Sequence, residues 1–224
     1  MKLAPLSCLR RVPPRMSHNG QMSYRYADAQ NLEFRIDYLE PTKEQPFSFR
    51  QVFAATRKGN PHQGSFFTPP PHYHLLQDEH FIVETGEGIW HLEGVREVRL
   101  RSGDTLKVEA RKRHWFEVAP NSTEDLSVVY FYDKGYKDME DRFFRNLFGD
   151  MADRRRAGMD ISIFQLSVFC LRFWMPIGLV KVGPEWLKLV LNTCLMLILA
   201  FVGECMLGYK SSYDEYYQPG SKSK

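Results

Sequence analysis

Cysteine is scarce in this chain, with four among 224 residues, Cys8, Cys170, Cys194 and Cys205, and no CxxC pair. That excludes a small extracellular scaffold stapled by disulfides, and it argues against a redox or zinc site built on thiols. An excess of charge of one sign is missing too. The formal net charge is only +3 and the basic residues are spread along the chain, so the electrostatic footprint of a nucleic-acid binder is absent. The first 27 residues hold no Asp or Glu against Lys2, Arg10, Arg11, Arg15 and Arg25. Their apolar stretch LAPLSCL is too short for a secretory core. Residues 1–30 therefore read as a flexible basic arm, compatible with a mitochondrial presequence or with translation that starts at Met16 or Met22.

What is present is a long β-rich stretch. From residue 31 to 133 the runs NLEFRIDYL, FSFRQVFAAT, EHFIVET, GIWHLEG, VREVRLR, DTLKVEA, HWFEVA and DLSVVYFYD are rich in aromatic and β-branched residues, and Gly, Pro, Asn and Asp separate them. About eight short strands at this spacing predict an antiparallel sandwich or barrel. The period then changes. In KDMEDRFFRNLFGDMADRRR, residues 137–156, the residues Met139, Phe143, Phe144, Leu147, Phe148 and Met151 fall on one helical face with charge opposite. This amphipathic helix is suited to closing one end of the barrel or to lying on a membrane surface.

Two apolar stretches follow, ISIFQLSVFCLRFWMPIGLV (161–180) and WLKLVLNTCLMLILAFVGECML (186–207), joined by the turn KVGPE. Each is long enough to cross hydrocarbon, so 161–207 is expected to form a membrane hairpin and 208–224 a polar tail. The alternative is a pair of buried helices, and Arg172 and Pro176 in the first stretch leave a single span open. Arg154, Arg155 and Arg156 before the first stretch place the preceding domain on the cytosolic side, most naturally of the endoplasmic reticulum. The sequon Asn121-Ser122-Thr123 is then expected to stay unmodified.

One segment carries chemistry. In PPPHYHLLQDEHF, residues 69–81, His72 and His74 share a face if the chain is extended, and LLQD can turn the chain so that Glu79 comes back towards them. HYHLLQDEHFIVETG resembles the first motif of the cupin superfamily, with Gly86 closing it, and GDTLKVEARKRHWFEV approximates the second, with Gly103 and His114 at the expected separation. The resemblance covers about residues 45–132. Glu109, Arg111 and Val118 stand where the second motif usually has proline, glycine and asparagine.

The resemblance implies an all-β cupin (jelly-roll) barrel over 31–133, followed here by an α-helical C-terminal region with the membrane hairpin. It implies a divalent metal held by His72, His74, Glu79 and His114, with Fe(II) or Mn(II) preferred and two positions left for water, oxygen or substrate. His18, His62, His80 and His91 are not expected to be ligands. Tyr73, Gln77, Trp90, Phe116 and Tyr130 are candidates for the barrel mouth, with Gln77 a candidate partner of the ligands, although aromatics at strand spacing are more often core. The basic run Arg111, Lys112 and Arg113 could attract an anionic substrate or form a solvated turn.

A cupin barrel with a membrane tail is similar to cupin-domain oxidoreductases of fungal secondary-metabolite gene clusters. That implies a membrane-anchored, metal-dependent oxidoreductase acting on a small lipophilic, polyketide-like intermediate, with the membrane, pathway enzymes and a second copy of the chain as partners and no nucleic acid. A non-redox isomerase, cyclase or dehydratase, and a non-catalytic binding module at the membrane, are the rival expectations.

Overall fold

The computed structural model describes residues 4–27, 33–40, 42–43, 47–55, 67–95, 97–120 and 122–219, so His62, Asn121 of the sequon, and Lys222 and Lys224 of the tail lie outside the described residues. The chain divides into two units: Met22–Gly135, and Met1–Gln21 together with Tyr136–Lys224.

The first unit is all antiparallel β. Its strands are β1 (Ser23–Ala27), β2 (Glu33–Tyr38), β3 (Ser48–Phe53), β4 (Glu79–Thr85), β5 (Glu87–Leu92), β6 (Val98–Arg101), β7 (Thr105–Val108), β8 (His114–Val118) and β9 (Leu126–Tyr132). They form a six-stranded sheet ordered β1-β2-β3-β9-β4-β7 and a three-stranded sheet ordered β6-β5-β8. β2 to β9 occupy the eight β-rich runs of the sequence. β1, SYRYA, lies within the stretch read as arm, where its pairing with β2 extends the sheet.

The period of two decides which residues enter the core. On β4, Glu79, Phe81 and Val83 are buried while His80 and Ile82 are less so, and on β8 His114, Phe116 and Val118 are buried. Between the sheets lies an aromatic interior in which Phe49 stacks on Tyr130 at 4.8 Å, Trp90 stacks on Phe116 at 5.1 Å, and Phe81 meets Trp90 edge-on at 5.6 Å. Burying each such ring stabilises the fold by about 1.5–3 kcal/mol. The β4–β5 connection turns at Gly86, whose φ is +75° and whose missing Cβ would lie 2.6 Å from the Asp125 carbonyl oxygen, so no other residue fits there without moving backbone. Outside, Arg50 donates to both Glu84 oxygens at 2.5 and 2.7 Å, and Ser127 donates to the same carboxylate.

The second unit contains α1 (Lys137–Arg156), α2 (Ile163–Phe173) and α3 (Glu185–Phe201), the last continued by a π-helical turn, Val202–Met206. α1 has the expected bounds. Acidic residues in its first turn and arginines in its last suit the helix dipole. Its apolar face is taken up inside the unit, where Phe143 stacks on Phe173 of α2 at 4.4 Å, so that face is not available to lipid. Arg154 is buried on α1 and donates to Asp150 at 2.6 Å.

The first of the two expected spans folds differently. Only eleven residues of 161–180 are helical, about 16 Å of helix and half a bilayer. α2 stops at Trp174, which adopts the left-handed conformation with φ 51°, ahead of Pro176, whose ring cannot continue a helix. Its residues Val168, Phe169, Cys170 and Phe173 are core. Among the described residues one helix, Glu185–Met206, is long and apolar enough to cross a membrane, with mean hydropathy 2.1 over its most apolar part. A two-helix crossing is therefore replaced by a short core helix and one long apolar helix.

Residues 4–21 run along this unit. Leu6 N donates to Met206 O at 2.9 Å, His18 N to Glu215 O at 2.7 Å and Met16 N to the Asp153 carboxylate at 3.0 Å. The Arg15 guanidinium lies 3.6 Å from the centre of the Tyr213 ring. Arg15, read as part of an arm, thus serves as a partner of the tail.

Candidate metal centre

His72 and His74 lie in the segment before β4, which belongs to neither sheet as a named strand. Their backbone is nevertheless fixed. His72 and His114 exchange two backbone hydrogen bonds of 3.0 Å, and Arg111 N donates to His74 O at 2.7 Å. The carboxylate comes from the other sheet, where Glu79 opens β4 and pairs with Val108 on β7 and Tyr132 on β9. Two sheets and a connecting segment therefore contribute to one point. One potential ligand atom from each of His72, His74, Glu79 and His114 lies within 4.8 Å of the other three, and all four residues are buried.

The orientation of two imidazoles is decided by their outer nitrogens. His72 Nδ1 is 2.8 Å from Pro70 O and His114 Nδ1 is 2.9 Å from Lys112 O. A carbonyl only accepts, so Nδ1 carries the proton in both and Nε2 presents a lone pair inward. His72 Nε2 then faces His74 Nε2 at 3.2 Å, and His114 Nε2 faces the Glu79 Oε2 at 2.7 Å. Lone pairs opposed at these distances repel unless a proton or a cation lies among them, and the donor set could hold a divalent ion of the imidazole-and-carboxylate type.

The electrostatics agree with that reading. Burial, followed by the neighbouring His114 and His74, holds the His72 imidazole well below its ordinary value, keeping it neutral and able to ligate. Burial alone would raise Glu79, but His74 and His114 outweigh it and keep the carboxyl well below the usual carboxylate range.

Tyr132, on β9, donates to the second oxygen of Glu79 at 3.2 Å. The sequence reading missed it. The signal available was the alternation that puts Tyr132 on the same face as Tyr130, together with the register that sets it opposite Glu79. Tyr130 is buried and donates to Gln51; burial and then the Glu79 charge push its phenol well above its ordinary value, so it stays protonated.

Other candidates are placed as follows. Gln77 donates to Lys134 O at 2.6 Å. Tyr73, Trp90 and Phe116 are buried in the interior. His80 stacks on Phe131 at 4.7 Å on the face opposite Glu79, His91 stacks on Trp115 at 4.5 Å and pairs with Glu117, and His18 lies 3.7 Å from Asp153 in the helical unit. Arg111, at the position where glycine is usual, has φ 68°, so the left-handed turn survives the substitution at a local cost of about 1–2 kcal/mol. Arg113 lies 5.1 Å over the Trp115 ring.

A family model described as a cupin domain matches residues 59–132. "Probable oxidoreductase virH" of Hypocrea virens is 36% identical over 159 residues, which are 69% of this chain and 70% of that protein. "Oxidoreductase iacF" of Pestalotiopsis fici is 36% identical over 145 residues, 57% of this chain and 71% of that protein. "Probable oxidoreductase patJ" of Aspergillus clavatus is 34% identical over 127 residues, 50% of this chain and 38% of that protein.

Proposed function

Since the chain belongs to the fungal cupin-domain oxidoreductases, alongside the virH and iacF proteins, we propose that it is a metal-dependent oxidoreductase that works at a membrane. Its substrate in this reading is a small lipophilic, polyketide-like intermediate of secondary metabolism, and its metal is Fe(II) or Mn(II). The observation that carries the metal is the convergence of three imidazoles and one carboxylate, all buried, with two imidazoles locked so that Nε2 points inward.

Bound at that point, the ion would supply Lewis acidity and one-electron chemistry, with positions left open for oxygen or for a substrate oxygen. The protein's own part is positional. Pro70 O and Lys112 O set the ring orientation of His72 and His114, Tyr132 holds the free oxygen of Glu79, and the rings of Phe81, Trp90 and Phe116 make the surroundings dry. A dry surround strengthens every charge interaction at the centre and protects a reactive intermediate from water.

The long apolar helix α3 supports a membrane location, proposed here as the cytosolic face of the endoplasmic reticulum. A greasy intermediate concentrates in the bilayer, so an enzyme held there meets it at a higher local concentration.

Metal analysis of the purified full chain tests the reading. One divalent ion per chain is expected, lost in His72→Ala, His74→Ala, Glu79→Ala and His114→Ala while the β-sheet circular dichroism persists. Metal content unchanged in all four variants would sink the assignment. With Fe(II) loaded, oxygen uptake should accompany conversion of a lipophilic polyketide dispersed in detergent; conversion under strict anaerobiosis without an electron acceptor would move the reaction to the isomerase class.

A further inference from the structure

The helix α3 shows two different apolar faces. One packs inward: Asn192, Met196 and Ala200 are buried, and a Cβ on Gly203 would stand 2.8 Å from Phe164 O of α2. The Asn192 side chain accepts from Val180 N at 2.8 Å and donates to Val180 O at 3.2 Å, satisfying the irregular chain that runs beside it. The other face is turned out and is equally apolar. Trp186, Val190, Leu197, Ile198 and Phe201 lie along it, with Trp186 66%, Ile198 60% and Phe201 62% exposed. Only 22% of the most apolar part of the helix is buried.

No charged residue occurs between 189 and 203. At either end of that stretch a charge pair is closed, Lys188 with Glu185 at 3.4 Å and Arg172 with Glu204 at 2.9 Å. Trp186 is exposed close to the Lys188 end. Tryptophan beside paired charges at the rim of an apolar stripe is the composition of a surface that meets lipid at headgroup level. The Thr193 hydroxyl within the stripe is turned to its own helix, donating to Leu189 O at 2.8 Å, so the stripe offers few of the polar contacts that a protein interface intersperses.

Crossing the bilayer is opposed by what α3 is fastened to. α2 is packed against it at Gly203 and is itself held by α1 and the tail: Phe173 stacks on Phe143, Tyr213 OH donates to Gln165 at 2.6 Å, and Gln165 donates to Lys210 O at 2.9 Å. Eleven of the twenty residues of α1 are charged. A spanning α3 would have to abandon α2 or draw α1 and the tail into hydrocarbon.

We propose that α3 lies flat in the membrane interface, its outward stripe inserted at the edge of the acyl layer of one leaflet, and that the protein enters that leaflet without crossing. The inference rests on the membrane location proposed above and names its geometry. Trp186, Val190, Leu197, Ile198 and Phe201 are the inserting residues; α1, α2 and the tail stay on the aqueous side.

Flotation of the full chain with phosphatidylcholine vesicles, followed by depth measurement, tests it. Nitroxides are attached singly at Trp186→Cys, Val190→Cys, Ile198→Cys and Phe201→Cys in a chain whose exposed Cys8, Cys194 and Cys205 are replaced by serine. All four should report one shallow depth, about 5–10 Å below the headgroups. A crossing helix travels about 22 Å along its axis between residues 186 and 201, so depths that rise and fall along the helix would overturn the proposal in favour of a span. The variant carrying Ile198→Glu and Phe201→Glu should lose vesicle partition at least about tenfold while keeping its metal. Failure of the parent chain to float, or a concentration-dependent dimer abolished by the same two changes, would overturn it in favour of a protein partner. Because metal content is read separately, a failed float leaves the metal site standing, and a metal-free protein that floats leaves the docking standing.

Discussion

Replacing Tyr132 by phenylalanine tests whether the residues around the four donors tune them. The change deletes one oxygen and leaves the ring, which packs 5.3 Å from His74 and is buried, so neither a cavity nor a strand defect is introduced. What is lost is the hydrogen bond to Glu79 Oε1. A hydrogen bond to a charged group contributes about 1.5–3 kcal/mol. At 3.2 Å it is longer than the usual hydroxyl-to-oxygen distance, which points to the lower end of that range. About 1.5 kcal/mol is about a tenfold change in an equilibrium constant. Metal affinity of Tyr132→Phe, measured by competition with a chromogenic chelator, should therefore fall about tenfold, in line with the cost of removing a partner that orients a ligand. Thermal stability of the metal-free protein should fall as well, because the phenol donates to Glu79 there too. An affinity within about twofold of the parent, a difference below about 0.5 kcal/mol, would refute the idea that the phenol holds the carboxylate in place.

Three further outcomes are expected. Arg154→Ala strands Asp150, a carboxylate that burial already pushes above its usual range, and should cost the helical unit about 3–5 kcal/mol in a denaturant titration, whereas a loss under 1 kcal/mol would show that water reaches the pair. Arg111→Gly relieves a left-handed backbone at φ 68° but frees the unfolded chain, so chemical denaturation should find it between neutral and about 1 kcal/mol more stable, with metal binding kept; a clear destabilisation would mean that the side chain matters more than the turn. His72 is held neutral well below its ordinary value, so below about pH 6.5 the unfolded chain takes up a proton that the fold refuses, and metal-free stability is full above that pH and falls beneath it by up to about 1.4 kcal/mol per pH unit. A slope unchanged in His72→Asn would assign that loss to other groups.

Much of the barrel could be read from the chain because alternation survives in strands such as β4 and β8, while β5 and β9, buried along consecutive residues, show instead as aromatic and β-branched runs, and α1 keeps a helical period from 137 to 156. β1 escaped because SYRYA is short, carries an arginine and follows a basic stretch, so nothing local separates it from an arm. The stretch 161–180 was misread for a different reason. Length and apolarity measure how much surface must leave water, and burial against α1 and α3 satisfies that need as well as lipid does. Arg172 and Pro176 were the visible hints. At the site, the four donors were found by their spacing, whereas the part played by Tyr132 was hidden because in the one-dimensional pattern it cannot be told from the aromatics that merely fill the core. Nor does anything in the letters say that Arg111 takes up a glycine's conformation; the His74 carbonyl it serves is far away in sequence.

The ladder between His72 and His114, with Glu79 pinned by β9, has a consequence for how the protein comes to exist. During synthesis His72 emerges first, and Tyr132 lies sixty positions behind it. The last of the four donors, His114, comes 42 positions after His72, so at about 5–20 residues per second the donor set stays incomplete for about 2–8 s. Strand β9 contributes the central partner of both β3 and β4, so the six-stranded sheet closes only when it arrives. The four donors are thus all made before the strand that closes the sheet around them: the order of the strands puts completion of the donor set ahead of closure of the barrel.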